Sequence, residues 1–530
     1  MADAIAADRS VRGMGSAGLA GARISSVLLL LLPMLLTLPG LPARVHAQDA
    51  AFGVEALFGP DFERRGEDPD RPIRARRSVD VVRRWNQIAI DASGLDHTPV
   101  SPGEDRVYGE QLGPGRSSRA MAIVHIAIFD AVNAIVGGYE SYTGLTRTRR
   151  RTSLEAAVAQ AAHDTLEALF PSQAEAFDEL LGEELRRIRD RKARSRGIAV
   201  GRQAAERILA RVEGDGSDHA EPRIGIDFFP SDVPGYWRPD PISQSPIALG
   251  AQWGGVRPFV LQSGSQFRLP PPPSITSEEY AVAHAEVKVL GGDGVGTPTS
   301  RTAEQALIGT YWAYDGTPSL CAPPRLYNQI AVTIADRRRT PAVELARLLA
   351  LVNVAMADTG IAAWDSKYHY QYWRPVVGIR ETEPGTGPTG AGDGNDATIG
   401  DPAYSPLGAP ASNLSGPNFT PPFPAYPSGH AAFGGALFQT LRHFYGTDSI
   451  AFTFVSDELN GETRDNEGEI RPLVPRHFET LSQAEEENGQ SRIYLGIHWA
   501  FDKTSGITQG RNVADYVFGT VFRRATGPAS

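Results

Sequence analysis

The stretch YPSGHAAFGG, residues 426–435, decides how this chain reads. Prolines crowd its N-terminal side, PPFPAYPSGH (421–430), and they cannot continue a helix; the small apolar residues after His430 can. Ser428-Gly429-His430 is therefore expected at a helix N-terminus. There the backbone N–H groups lack intrahelical partners and the helix dipole favours an anion. Taken alone, the triplet also fits an N-capping serine beside an ordinary histidine.

Outward from this point the pattern is helical. Apolar periodicity predicts helices over 116–136, 153–170, 172–197, 196–212, 277–290, 300–314, 341–373, 430–445, 481–502 and 504–522. The second and third read as an antiparallel pair turned at Pro171. Residues 216–273 and 381–426 are irregular, and no strong alternating strand pattern stands out. Helix pairs in two batches point to an all-α fold built from helical bundles. The expected division is a signal segment over 1–47, an N-terminal helical half over 48–275, and a C-terminal helical half over 276–530 carrying the site. The run GAGDGNDATIGD (390–401) lacks the terminal glutamate of a calcium loop and reads as a solvated Gly/Asp turn.

The N-terminus differs from the rest. Arg9, Arg12 and Arg23 precede VLLLLLPMLLTL (27–38), and small residues follow up to Ala47. This is the layout of a secretory signal cleaved near Ala47, and it predicts export; an uncleaved N-terminal anchor is the rival reading. After cleavage no stable membrane span is expected. The chain carries −10, and the first 47 residues hold four Arg and two Asp, so the remainder carries −12. That balance argues against nucleic acid as a partner. Cys321 is the only cysteine, which rules out an intrachain disulfide.

Three segments carry unusual charge for their apolar surroundings. In KYHYQYWRP (367–375), Lys367 and Arg374 are seven apart, which on a continuous helix gives them one face. They also fit two surface charges on an aromatic helix end. The second segment is Ser428-Gly429-His430, which offers a hydroxyl, an unobstructed N–H and a titratable ring. The third is SRIYLGIHWAFD (491–502). On a helix Asp502 would reach the imidazole of His498 four residues earlier, and Arg492 would reach the same cavity. A salt-bridged terminal helix fits it as well. Together, two Arg, one Lys, two His, a Ser and a Gly N–H are donors suited to a tetrahedral oxyanion. A Ser-His-Asp triad is not indicated, because Ser428 and His430 are too close in sequence and no G-x-S-x-G elbow is present.

These residues resemble a known signature. Lys367-x6-Arg374-Pro375, Pro427-Ser428-Gly429-His430 and Ser491-Arg492-x5-His498-x3-Asp502 match, in order, the three-part motif of vanadium-dependent haloperoxidases and the type 2 phosphatidic acid phosphatase superfamily. The longer runs PFPAYPSGHAAFGGA (422–436), WAYDG (312–316), PPRLYNQIA (323–331) and RPFVLQSGSQFRLPPPP (257–273) are similar to the chloroperoxidase-like haloperoxidase branch, so the resemblance covers roughly residues 80–525. It implies two four-helix bundles and a vanadate cofactor in a site that phosphate can share. By the same resemblance His498 bonds vanadium, while Lys367, Arg374, Ser428, Gly429 and Arg492 hold its oxygens. His430 is then the acid–base residue when hydrogen peroxide and a halide react to give hypohalous acid, with an organic acceptor as a further partner. Asp315 is implied as a carboxylate beside Arg492, and Asp502 as the partner of His498. Trp364 and Phe423 are implied as the apolar side of the halide site. Algal bromoperoxidases carry a histidine where Phe423 stands, so the resemblance places chloride beside bromide as an expected substrate. Ala500 departs from fungal relatives, which have a larger basic residue there. A homodimer is compatible with this reading.

Two other functions use the same residues. An exported acid phosphatase would form a phosphohistidine on His498, with His430 protonating the leaving group. A non-catalytic oxyanion-binding protein would need the cations but not His430.

Overall fold

A computed structural model describes residues 53–64, 80–148 and 150–525. The expected signal segment, 1–47, lies outside the described residues. Among those described, fourteen α-helices and four short strands alternate with long irregular connections, in agreement with an all-α reading. Up to residue 275 come α1 (Val54–Phe58), α2 (Val81–Asp96), α3 (Gly113–Val136), α4 (Leu154–Leu169), α5 (Ala174–Arg187) and α6 (Arg191–Val212). After it come α7 (Glu278–Leu290), α8 (Ala303–Tyr311), α9 (Pro323–Arg337), α10 (Ala342–Tyr370), α11 (Pro375–Arg380), α12 (Gly429–Tyr445), α13 (Leu481–Tyr494) and α14 (Ala500–Thr520).

Helix α10 organises the core. From Leu345 to Ala363 its sequence is mostly Ala, Leu, Val and Ile, and nearly every residue of that stretch is buried, so this part of the helix is enclosed on all sides. It packs against α3 on one flank and against α12 and α14 on the other, and α4 and α6 close the first group behind α3. Helices α3 and α10 are long and apolar enough to cross a membrane, yet 83% and 94% of their apolar windows lie inside the protein.

The pair α12–α14 sets the geometry of the site. It crosses closely because α14 presents Gly506 and Gly510 to the first turns of α12. A Cβ at Gly510 would lie 1.9 Å from the Ala432 carbonyl oxygen, and one at Gly506 would lie 2.7 Å from that of Ser428. No side chain fits there, so the two helices approach backbone to backbone and bring their N-termini together.

Helices α2 and α9 occur where the sequence reading has none, and several boundaries differ from it, three of them by a break inside a predicted helix. The predicted helix over 172–197 is two helices. It stops at Arg187, and Asp190 caps the next one by accepting from the Ala193 N–H at 2.9 Å. The predicted helix over 481–502 ends at Tyr494, because Gly496 takes a positive φ of 74°. The helix over 341–373 ends at Tyr370, where Gln371 turns left-handed (φ 48°). Strands also occur where none was expected. The pair β1 (Glu63–Arg64) and β2 (Leu414–Ser415) is minimal. A real antiparallel hairpin joins β3 (Phe452–Asn460) to β4 (Leu473–Phe478). FTFV in β3 does alternate buried and exposed, but over too few residues to stand out beside the helices.

Candidate active site

Each element end that departs from a continuous helix delivers a side chain to one place. Lys367 lies in the last turn of α10, fully buried. Arg374 sits just before Pro375, the first residue of α11, and is 1% exposed. Their seven-residue spacing predicts one helical face for these two. They converge instead through the reversal at Gln371–Trp373. Ser428 is the N-cap of α12, as expected, with its hydroxyl 3.4 Å from the Ala431 N–H. Gly429 and His430 open that helix. Arg492 lies in the last turn of α13, and His498 lies on the turn between α13 and α14.

The polar network assigns the protons. Asp502, in the first turn of α14, accepts from His498 Nδ1 at 2.9 Å and from the Trp499 N–H at 3.0 Å. Arg374 Nη1 donates to the Ile497 carbonyl at 2.8 Å and lies 3.0 Å from His498 Nε2. Because arginine can only donate, Nε2 must carry the lone pair and Nδ1 the proton. His498 is therefore a neutral imidazole with its ligating atom directed at the cations. Burial, then the Arg374 charge, pushes its pKa well below the ordinary value and supports this form. Burial pushes the Asp502 carboxyl up to about 7.

His430 is fixed from the other side. Its Nε2 donates to the Ala313 carbonyl at 2.5 Å, which leaves the lone pair on Nδ1. Burial and Arg492 lower its pKa well below the histidine norm, so the ring is neutral and ready to take a proton. The Ala313 contact escaped the sequence reading, since a backbone carbonyl carries no residue identity to read.

The cations define what the site accepts. Arg492 Nη2 donates to both oxygens of Asp315, at 2.7 and 2.9 Å, which places the expected carboxylate as anticipated. Burial raises the Asp315 pKa although Arg492 opposes it. The remaining Arg492 nitrogens, Nε and Nη1, are buried without any partner. Lys367 Nζ donates to the carbonyls of Pro424, Ala425 and Pro427 at 2.7, 3.0 and 2.5 Å. Burial and then Arg374 push its pKa well below that of a free lysine, and the three carbonyl acceptors match the three hydrogens of an ammonium. Three buried cations thus face two carboxylates, one of them with its pKa near neutrality. Such an excess of charge, with two unpaired guanidinium nitrogens, fits a tetrahedral oxyanion.

An apolar wall completes the site. Trp364 and Phe423 pack with ring centroids 4.9 Å apart, and Trp364 Nε1 donates to the Leu249 carbonyl at 3.1 Å. Lys367 Nζ and Arg374 Cζ each lie 5.0 Å from the Phe423 ring. A narrow cleft reaches this point between Phe58, Leu249, Trp364, Phe423, Phe433 and His430. A wider cleft, about 1210 Å³, lies elsewhere, between α2, α9 and β3, and contains none of these residues. Its walls are already ion-paired, as in Arg325 with Asp91 and Asp457.

Fold and site together describe a helical-bundle protein with a buried, cation-rich cluster around two neutral histidines. Residues 347–527 match the family described as the VCPO second helical-bundle domain. The chain is 30% identical over 501 residues to the vanadium chloroperoxidase of Curvularia inaequalis, covering 79% of this chain and 78% of that one. Among solved structures it is similar to a bacterial vanadium-dependent iodoperoxidase (TM-score 0.65, 24% identity, 85% of this chain and 99% of that one). It is also similar to a bacterial vanadium-dependent chloroperoxidase (TM-score 0.57, 17% identity, 77% and 94%). The chain belongs to the vanadium chloroperoxidase family.

Proposed function

We propose that this protein is a vanadium-dependent haloperoxidase that uses hydrogen peroxide to oxidise bromide, and chloride as well, to hypohalous acid. Family membership supports the enzyme class. The observation that carries the cofactor reading is the excess of buried cations, with Arg492 Nε and Nη1 left unpaired, beside a neutral His498 whose Nε2 is unprotonated and meets Arg374.

Arg374, Arg492, Ser428 and the Gly429 N–H would hold the vanadate oxygens together with Lys367, whose ammonium would exchange a carbonyl acceptor for an oxygen, and His498 Nε2 would ligate the metal in place of its contact with Arg374. Vanadate, when bound, supplies a Lewis-acidic centre that polarises peroxide for attack by halide without a change of oxidation state. The protein's own share is positioning and proton handling. Asp502 holds the proton of His498 on Nδ1 and keeps Nε2 free. His430 Nδ1 takes the proton that peroxide loses, while Nε2 stays tied to Ala313. Its lowered pKa lets it return that proton to the leaving oxygen. Trp364 and Phe423 keep water from the side where the halide would lose its hydration shell.

Export through residues 1–47 belongs to the same proposal and rests on the charged, apolar and small-residue order of that segment. The distinguishing experiment is a His430→Ala variant. It should bind vanadate and lose halogenation by roughly 10²–10⁴-fold, the usual contribution of a positioned acid–base group. A variant that halogenates at the wild-type rate removes His430 from the chemistry.

A further inference from the structure

Helices α12 and α13 carry His430 and Arg492 respectively, and a direct side-chain link joins them one turn behind the site. Asn488, four residues before Arg492 on α13, donates its Nδ2 to the His430 carbonyl at 3.0 Å. Tyr327 of α9 reaches the same point. Its hydroxyl lies 2.9 Å from Asn488 Oδ1 and 2.8 Å from the His430 carbonyl oxygen. All three groups are buried.

The proton count orders these contacts. The His430 carbonyl can only accept, so the amide presents Nδ2 to it and turns Oδ1 toward Tyr327, whose one hydroxyl hydrogen is shared between Oδ1 and the same carbonyl. That shared contact holds the amide in this orientation. A third residue makes room. A Cβ at Gly434, on the next turn of α12, would lie 2.3 Å from Asn488 Nδ2, with no other atom closer than 3.4 Å. Gly434 has ordinary helical geometry, so it is the volume occupied by Asn488, not backbone conformation, that forbids a side chain there.

We infer that Asn488 is a positioning residue: oriented by Tyr327 and accommodated by Gly434, it fixes the first turn of α12, with Gly429 and His430, at a set distance from Arg492. The Nδ2 bond spans from the helix of the guanidinium to the helix of the acid–base residue, so it holds two arms of the oxyanion pocket in register. The other side-chain bonds between α12 and α13 among the described residues run from Arg442 to Ser482 and Glu485, at the far ends of the helices, and the donors of a tetrahedral anion must agree to within about half an ångström. The inference rests on the oxyanion reading of the site.

The test uses the enzyme freed of oxyanions, in wild-type form and as Asn488→Ala, Tyr327→Phe, Gly434→Ala and the double variants with Asn488→Ala. Vanadate affinity is measured by calorimetric titration, halogenation by turnover and folding by thermal unfolding. Asn488→Ala is expected to weaken vanadate binding by about tenfold or more, the size found for residues that orient a ligand from behind. Tyr327→Phe should weaken binding less, and should add nothing once Asn488 is gone. Gly434→Ala should be as harmful as Asn488→Ala by itself, and harmless in the Asn488→Ala background, where the clashing amide is absent. A packing role alone gives a different pattern: lowered unfolding temperatures, unchanged affinity and additive double variants, and this result would overturn the inference. If Asn488→Ala does not fold, Asn488→Ser and Tyr327→Phe decide the question by the same criteria. A wild-type protein that binds no vanadate would remove the vanadate reading instead, and phosphate titration of the same variants would then judge the link.

Discussion

Asp502 Oδ2 lies 2.9 Å from His498 Nδ1, although the two residues are on different elements: His498 on a turn and Asp502 in the first turn of α14. The same oxygen accepts the Trp499 N–H, so one carboxylate caps the helix and sets the histidine tautomer. Replacing Asp502 by Ala should leave His498 free to put its proton on Nε2. Vanadate affinity should then fall by about 10–100-fold. Calorimetric titration measures it, and an affinity within about twofold of wild type, too small a change for such a partner, would show that the tautomer is set elsewhere.

The same carboxylate makes a pH prediction. Burial raises its pKa to about 7 in the folded chain, above the unfolded value near 3.9. A raised pKa means that the folded state holds the proton more tightly. Its stabilising share is complete below about pH 4 and is lost as the pH rises through about 7. His430 and His498 act with the opposite sign. Their pKa values are lowered, so their share is present above about pH 6.5 and is lost as the pH falls below it. Denaturant unfolding of oxyanion-free wild type and Asp502→Asn across pH 5 to 8 isolates the Asp502 share. The stability of wild type relative to the variant should decline by up to a few kcal/mol over that range, at about 1.4 kcal/mol per unit of pKa difference. Parallel curves would contradict it.

Asp315 and Arg492 form a buried pair in which only one guanidinium nitrogen is used. Asp315→Ala leaves Arg492 uncompensated and should cost about 3–5 kcal/mol in the oxyanion-free protein. A bound oxyanion supplies the missing charge, so saturating vanadate should restore part of that loss. Thermal unfolding with and without vanadate tests this; an equal shift in wild type and variant would mean that Arg492 does not face the anion.

Phe423 stands between two cations and against Trp364. Chloride is more strongly hydrated than bromide and depends more on a dry wall to shed its water. Phe423→His should lower chlorination by about tenfold, roughly 1.4 kcal/mol of the barrier, and bromination by clearly less. Equal losses for both halides, measured with one reporter dione, would remove Phe423 from halide selection.

Much of this site was legible because its residue types are costly to bury without a purpose. Lys367, Arg374 and Arg492 stand in apolar runs, and Ser428-Gly429-His430 follows prolines at a helix start. The geometry that joins them was not legible in the same way. The sequence argument placed Lys367 with Arg374, and Arg492 with His498, on continuous helices. Gln371 and Gly496 break those helices and fold each pair together through a turn. A single residue with positive φ is a weak sequence signal, whereas apolar periodicity on both sides of it is a strong one. Asn488 and Tyr327 passed unnoticed because a buried amide and a buried phenol look like ordinary helix residues until their partners are known.

The most direct test is a vanadate titration of the protein freed of oxyanions, with halogenation of a reporter dione and phosphate-ester hydrolysis followed on one preparation. The account predicts peroxide-dependent halogenation that appears with vanadate and is suppressed by phosphate. Ester hydrolysis without vanadate, and no halogenation at any vanadate concentration, would contradict it and assign the same pocket to a phosphatase.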